Sequence, residues 1–130
     1  MDEYTDFKTK KEVQASKHTT IERLPKFFIF HLKRFAYAEA TQKIAKYIDF
    51  PKELNIPSNY LSRSNSNESR QYELYATISH IGDNTTNGHY ICDIKMGNGS
   101  WFHFDDSKVI PTQLDYVLAS NAYLLIYEQM

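Results

Sequence analysis

Runs of apolar residues along the chain predict a fold made mostly of β-strands. The first run, residues 27–35, is dense in aromatic residues, which favour strands. Apolar side chains fall on both of its faces, so we expect a strand whose first part is buried on both sides. The last run, residues 122–127, is continuously apolar and suits a central strand covered on both faces.

Three further runs between residues 72 and 104 predict neighbouring antiparallel strands. Residues 72–80 alternate between apolar and polar side chains, and residues 89–96 form a second β-rich run after a polar loop at 82–88. The triplet Gly97-Asn98-Gly99 predicts a hairpin turn before a strand at 100–104, because glycine and asparagine tolerate positive φ. We therefore expect three antiparallel strands in a row.

The rest of the pattern predicts shorter or less regular structure. Residues 43–50 alternate loosely and stop at Pro51, which favours an edge strand or a short extended piece. A Ser- and Asn-rich run within residues 58–71 is typical of a flexible surface insertion. Residues 111–119 carry apolar side chains three and four positions apart and predict a two-turn helix that starts near its proline. The polar residues 1–20 are expected to be a flexible or edge segment that leads into the fold.

Composition narrows the class of protein. The 130 residues are 42% hydrophobic and 15% aromatic, enough for a core in one domain or part of one. Fifteen basic and sixteen acidic residues give a net charge of -1, which provides no broad basic surface for nucleic acid or an anionic membrane. The single cysteine, Cys92, cannot form an internal disulfide, and no stretch has the length of a membrane span. We expect an intracellular protein of the cytoplasm or nucleus that binds neither nucleic acid nor membrane.

One histidine is well placed for catalysis by the predicted strand order. His89 follows a glycine after the polar loop and opens a strand, where a rigid element can hold its imidazole near a substrate. Asp105 and Asp106 end the strand after the hairpin, so pairing of neighbouring strands can bring a carboxylate to His89. A histidine at the junction of a loop and a strand is nevertheless more often an ordinary hydrogen-bonded residue, and acids at strand ends commonly bond the backbone.

The other histidines and the cysteine favour structural roles. We expect His31 to be a core or packing residue, His80 to be structural and His103 to have no partner. Cys92 lies three residues after His89 in a strand, and this odd spacing places the two side chains on opposite faces. Cys92 is therefore expected to be a small buried apolar residue. No two His or Cys residues have the close spacing of a zinc site, so we predict no structural metal, and we predict no cofactor.

The order of several segments resembles the ubiquitin-specific protease family over nearly the whole chain. The matching segments, in chain order, are Leu24-Pro25, the His-Leu-Lys-Arg-Phe sequence at 31–35, Phe50-Pro51, Gly88-His89-Tyr90, the sequence at 101–107 that contains Asp105-Asp106, and the closing run at 121–128. Each motif alone is common, but their order at these spacings is specific.

The resemblance implies an α+β fold, mostly antiparallel β, in which residues 21–130 are the β-rich palm and fingers half of a papain-like cysteine protease. A helical half of such an enzyme carries the cysteine, and the C-terminal tail of ubiquitin lies between the halves. By resemblance, His89 is the general base, Asp105 orients it and Asp106 assists. The residues implied to line the cleft for the ubiquitin tail are Gly82, Asn87, Gly88 and Tyr90.

Two differences from the family pattern bear on activity. Residues 1–20 contain no cysteine box, so we expect the chain alone to be inactive and to need an N-terminal cysteine-box half as partner. Asp6 and Thr9 stand where many members carry a Cys-x-x-Cys zinc pair. The leading hypothesis is that the chain is part of a cysteine-type deubiquitinase. Such an enzyme acts on ubiquitin and ubiquitinated proteins and cleaves after the C-terminal glycine of ubiquitin. The alternatives are a non-catalytic ubiquitin-binding or scaffold module and an inert remnant.

Overall fold

The computed structural model describes residues 2–5, 12–33, 35–37, 41–43, 47–62, 68–82 and 88–130. These residues form eleven strands, one short α-helix and a 3-10 turn at Ser58–Tyr60. In chain order the elements are β1 (Asp2–Thr5), β2 (Glu12–Ala15), β3 (Phe27–His31), β4 (Phe35–Tyr37), β5 (Thr41–Lys43), β6 (Glu53–Asn55), β7 (Gln71–Gly82), β8 (Gly88–Lys95), β9 (Trp101–Asp105), β10 (Lys108–Thr112), α1 (Leu114–Leu118) and β11 (Ala122–Gln129).

A central antiparallel sheet contains seven of the described strands. Its order is β10-β9-β8-β7-β11-β3, and β6 also pairs with β7. The predicted row of three antiparallel strands is confirmed as β7, β8 and β9. The turn between β8 and β9 is closed by Gly99 N–H, which donates to Met96 O at 2.9 Å, and Gly99 has a φ of 87°. The predicted fold class, α+β with mostly antiparallel β, is confirmed.

The hydrophobic core lies mainly on one side of this sheet. Its buried members are Leu24, Phe50, Ile56, Tyr72, Leu74, Trp101, Val117, Ala122, Leu125 and Tyr127. The β11 strand is central, as predicted, because it lies between β7 and β3. Its Tyr127 hydroxyl donates to Pro51 O at 2.7 Å, and burial raises the pKa of Tyr127 to about 12.

Bulges change which side chains of β7 face the core. Leu74 lies opposite Tyr127, but Ala76 lies opposite Ile126, so β7 carries one residue more than β11 between these pairs. Beyond this bulge Thr77 lies opposite Leu125, and both are buried. The simple alternation of the sequence is therefore interrupted, and polar residues of β7 lie on the core side of the sheet.

The expectation that the first strand is buried on both sides was wrong. The strand ends at His31, and the side chains of Phe27 and Ile29 are 43% and 62% exposed. The physical reason is position, since β3 is an edge strand of the described sheet and only the side that carries Phe28 and Phe30 packs on the core. His31 is likewise exposed rather than a core residue, although its ring lies 4.8 Å from that of Tyr123.

The helix expected at residues 111–119 starts later than predicted. Pro111 and Thr112 belong to β10, which pairs with β9 along its length, and α1 begins at Leu114. Proline is tolerated here because β10 is an edge strand. No helix in the described part of the chain is long and apolar enough to span a membrane.

Three other predicted segments fall partly outside the described residues. Of residues 43–50, position 43 ends β5, 44–46 lie outside the described residues, and 47–50 form no strand. Of the predicted insertion, 63–67 lie outside the described residues, while Leu61 pairs with Ile21 through an isolated bridge. In the leading segment, β1 pairs with β2 in a two-stranded sheet.

Candidate active site

The candidate site lies at the end of β8 and β9 that is far from their connecting turn. Asp93 lies opposite His103, and Cys92 lies opposite Phe104. Continued by two residues, this antiparallel register places Asp105 opposite Ile91, with His89 diagonal to Asp105 on the same face. Diagonal neighbours on a sheet are within reach of long side chains.

The side chains of His89 and Asp105 meet across this diagonal. His89 Nε2 lies 2.5 Å from Asp105 Oδ1, and His89 Nδ1 lies 4.0 Å from Asp106 Oδ2. A carboxylate can only accept a hydrogen bond, so in the neutral imidazole the proton is on Nε2 and the lone pair is on Nδ1. The side chains of His89, Asp105 and Asp106 are 38%, 41% and 81% exposed, so solvent reaches the site.

The surroundings of His89 favour its charged form. Its pKa is raised, first because the Asp105 carboxylate accepts its N–H, and further by the negative charges of Asp105 and Asp106. Partial desolvation lowers the pKa but is outweighed. The imidazole is therefore a stronger base than an isolated histidine.

A tight turn determines where the two acids lie. Asp105 pairs with Lys108, so only Asp106 and Ser107 connect β9 to β10. Asp106 has a φ of 52°, a left-handed conformation that aspartate adopts more readily than most residues. The reversal leaves Asp105 against the sheet and its neighbour in solvent.

Three of the four predicted cleft residues lie at this end of the sheet. Gly82 and Gly88 are the last pair between β7 and β8, and Gly82 has a φ of 128°. Tyr90 is 46% exposed, and its ring lies 4.8 Å from the ring of buried His80. Asn87 lies outside the described residues.

Comparison with known proteins decides the family. The family model described as Ubiquitin carboxyl-terminal hydrolase matches residues 2–127. The chain belongs to the ubiquitin carboxyl-terminal hydrolase family. The resemblance to ubiquitin-specific proteases found in the sequence is thereby confirmed.

Named relatives show how much of a family member the chain represents. It is 44% identical over 119 residues to Ubiquitin carboxyl-terminal hydrolase 24 of Arabidopsis thaliana, covering 91% of this chain and 21% of that protein. It is 37% identical over 134 residues to Ubiquitin carboxyl-terminal hydrolase 10 of Rattus norvegicus, covering 95% of this chain and 17% of that protein. The chain thus spans about a fifth of the length of these relatives.

A solved structure shows the same fold. One chain of the SAGA Ubp8/Sgf11/Sus1/Sgf73 DUB module bound to ubiquitin aldehyde superposes with a TM-score of 0.83 at 32% sequence identity. The match covers 99% of this chain and 30% of that chain. The described sheet is consistent with the β-rich half of a papain-like catalytic domain.

A second His-Asp pair in this family member was not foreseen. His103 was expected to have no partner, but its Nδ1 lies 2.7 Å from Asp93 Oδ1, and Thr77 Oγ1 donates to Asp93 Oδ2 at 3.5 Å. The correction follows from register, because Asp93 and His103 lie directly opposite each other on β8 and β9. The sequence contained this signal, because pairing the two β-rich runs residue by residue about their turn places Asp93 opposite His103.

The surroundings of Cys92 disfavour the reactive thiolate form of its side chain. It is partly buried, and burial together with the charge of Asp93 raises the pKa of its thiol. The thiolate is the reactive form, so the raised pKa disfavours reaction at neutral pH. Cys92 also lies three positions from His89 on the same strand, which places the side chains on opposite faces.

Three potential metal ligands lie together at the site. One ligand atom from each of His89, Asp105 and Asp106 lies within 4.8 Å of the others. The short Nε2 to Oδ1 contact already joins two of these residues, and a metal bound at those atoms would have to break it. The hydrogen bond between His89 and Asp105 and a metal ion at the same two atoms therefore exclude each other.

Proposed function

We propose that the chain supplies the general base His89 and its orienting acid Asp105 to a thiol-dependent deubiquitinase. The reaction is hydrolysis of the bond after the C-terminal glycine of ubiquitin. The observation that carries the proposal is the 2.5 Å contact between His89 Nε2 and Asp105 Oδ1 in a member of the ubiquitin carboxyl-terminal hydrolase family. A catalytic histidine needs this kind of carboxylate partner to fix its tautomer and orientation.

The first step activates the thiol. Asp105 holds the Nε2 proton, so Nδ1 accepts the proton of a cysteine Sγ placed beside it, and a thiolate-imidazolium pair forms. Asp105 and Asp106 stabilise the imidazolium and so raise the pKa of His89, which favours this transfer. A neighbouring imidazolium in turn lowers the pKa of a thiol well below its usual value of about 8.5.

The remaining steps return the proton. The thiolate attacks the carbonyl carbon of the terminal glycine, and the imidazolium donates its Nδ1 proton to the leaving amine. His89 then takes a proton from water, which attacks the thioester and releases ubiquitin and the thiolate. Asp106 assists by its charge, because its carboxylate lies 4.0 Å from Nδ1.

The cysteine comes from a partner half, since Cys92 is the single cysteine of these 130 residues.

We assign the groove at the end of β7 and β8, with Gly82, Gly88 and Tyr90, to the ubiquitin tail, and Asn87 by resemblance to the same groove. Glycines let an extended peptide approach the backbone closely. Ubiquitin aldehyde in the matching SAGA structure supports ubiquitin as the partner. A chain with one unpaired cysteine fits a reducing compartment, the cytoplasm or nucleus.

A chimeric enzyme tests this function. The aligned segment of Arabidopsis Ubiquitin carboxyl-terminal hydrolase 24 is replaced by this chain, and hydrolysis of a fluorogenic ubiquitin C-terminal amide is measured. We expect activity in the chimera and a loss of about 100-fold or more in its His89→Ala variant, the usual scale for a general base. Activity that does not depend on His89 would contradict the proposal.

The alternative is a ubiquitin-binding or scaffold module without catalysis. The observation that favours it is the exposed apolar pair Phe27 and Ile29 on β3, because large exposed apolar side chains mark interaction surfaces. A folded chimera that binds ubiquitin but does not hydrolyse the amide would support this alternative.

A further inference from the structure

The second His-Asp pair occupies the same face of the sheet as the candidate dyad. Asp93 lies four residues after His89 on β8, and His103 lies two residues before Asp105 on β9. Even spacing keeps side chains on one face of a strand. The order is reversed between the pairs, since β8 gives the histidine to the first and the acid to the second.

The second pair is the better shielded of the two. The side chain of Asp93 is 8% exposed and that of His103 is 25% exposed. A carboxylate this deep is costly unless its oxygens are hydrogen bonded. Asp93 accepts from both neighbouring strands, through His103 of β9 and Thr77 of β7, so its contacts fix β8 between them.

These contacts distinguish the observed register from its nearest competitors. A slip of two residues keeps every side chain on its own face, so the apolar pattern does not forbid it. A slip in one direction would place Asp93 opposite Asp105, with like charges facing each other. A slip in the other direction would place Asp93 opposite Trp101 and remove its imidazole partner. The turn at Gly97-Asn98-Gly99 restrains only the end of β8 and β9 that it joins, which is the end far from His89.

We propose that Asp93 and His103 are positioning residues that hold Asp105 at the diagonal of His89. Their pairing sets the register and relative twist of β8 and β9 one step from the site, and the 2.5 Å contact depends on both. The proposal rests on the function proposed above, because it matters for catalysis only if His89 is the base.

The test uses nuclear magnetic resonance of the 130-residue chain carrying ¹⁵N-labelled histidine. The pKa of His89, its tautomer and the exchange rate of its Nε2 proton are measured. The key variant is Asp93→Leu with His103→Leu, because replacing both partners of a buried pair by apolar residues commonly preserves stability. We expect the His89 pKa to fall toward the ordinary value of a histidine, about 6.5, and the Nε2 proton to exchange about tenfold faster.

Two single variants serve as rescue and control. His103→Gln keeps an N–H donor for Asp93 and should leave the His89 values close to those of the unmodified chain. Lys95→Gln breaks the pair between Lys95 Nζ of β8 and Glu73 Oε2 of β7, which lie 3.1 Å apart, and should also leave the His89 values unchanged. If the double variant does not fold, Asp93→Leu alone removes the acceptor of His103, whose side chain is 25% exposed and can reach water, and gives the same reading.

The outcomes separate the two proposals. A folded double variant, or Asp93→Leu in its place, that keeps the His89 pKa, tautomer and exchange rate would overturn the positioning role, whatever its unfolding midpoint. An unmodified chain without a raised His89 pKa and an Nε2 proton would instead remove the basis for His89 as the base. A change in His89 that His103→Gln avoids supports the inference.

Discussion

Gly88 lies against the imidazole of His80 so closely that a Cβ at Gly88 would overlap the ring. His80 is 3% exposed, and the ring of Tyr90 packs against it at 4.8 Å. The residue before His89 is therefore a glycine because a buried ring on the adjacent strand fills the space of a side chain. The same contact holds Gly88, the first residue of β8, directly before the candidate base His89.

Gly88→Ala should destabilise the fold. The added methyl group must displace a buried ring, and overpacking of this kind costs about 1–3 kcal/mol. Urea unfolding followed by circular dichroism gives the change in unfolding free energy. Gly97→Ala is the matched control, because a Cβ at Gly97 meets nothing within 4 Å. Equal losses in the two variants would rule out the contact with His80 as the cause.

Protonation of His89 should stabilise the fold at low pH. Its folded pKa is raised, so the contribution is fully present below the unfolded value of about 6.5 and is lost as pH rises through the folded pKa. The difference in unfolding free energy between the chain and its His89→Gln variant should therefore be larger at about pH 5.5 than at about pH 8.5. In an Asp105→Asn background the difference should depend less on pH, because the asparagine amide carries no charge that favours the imidazolium. A difference that is independent of pH would contradict the raised pKa.

The turn at Asp106 should accept glycine and resist alanine. At a φ of 52°, Asp106→Ala should cost about 1 kcal/mol, because alanine lacks the short polar side chain that helps aspartate to adopt the left-handed region. Asp106→Gly should be neutral or stabilising, and Asp106→Asn should keep the conformation while removing the charge. Thermal unfolding ranks the three variants. A turn that tolerates alanine as well as glycine would be inconsistent with the left-handed geometry.

Tyr127→Phe should change both stability and its dependence on alkaline pH. At neutral pH the variant loses the hydrogen bond to Pro51 O, worth about 1 kcal/mol or somewhat more. An unfolded tyrosine ionises near pH 10, but folded Tyr127 does so at about 12, so stability falls as pH rises between these values. Phenylalanine removes that part of the fall. Tyr116→Phe is the control, since Tyr116 is 71% exposed, and a matching response there would point away from burial.

The order of β7, β8 and β9 could be predicted from the sequence because these strands are consecutive and joined by short connections. Consecutive strands with a glycine-rich turn pair as neighbours, and this pairing brings His89 near Asp105 and Asp106. The role of these residues stays a prediction, while their proximity is a fact of the structure.

Other features depend on information that periodicity does not hold. The apolar residues of β3 gave no sign that Phe27 and Ile29 would be exposed, because an edge strand and a central strand can share a composition. The strand at Lys108–Thr112 was missed since Pro111 also suits a helix start. The partner of His103 required the exact residue-by-residue register, which a pattern of alternation leaves undefined.

The most direct test of the central claim is labelling by a ubiquitin probe with a thiol-reactive C-terminus. The chain is mixed with the cysteine-bearing portion of a family member, and formation of the covalent ubiquitin adduct is followed over time. We expect the adduct to form on that cysteine at least about tenfold faster with the chain than without it, and the gain to vanish in His89→Ala but not in the exposed control His18→Ala. Labelling that is indifferent to His89→Ala, or that occurs on Cys92 of the chain alone, would contradict His89 as the base of a deubiquitinase.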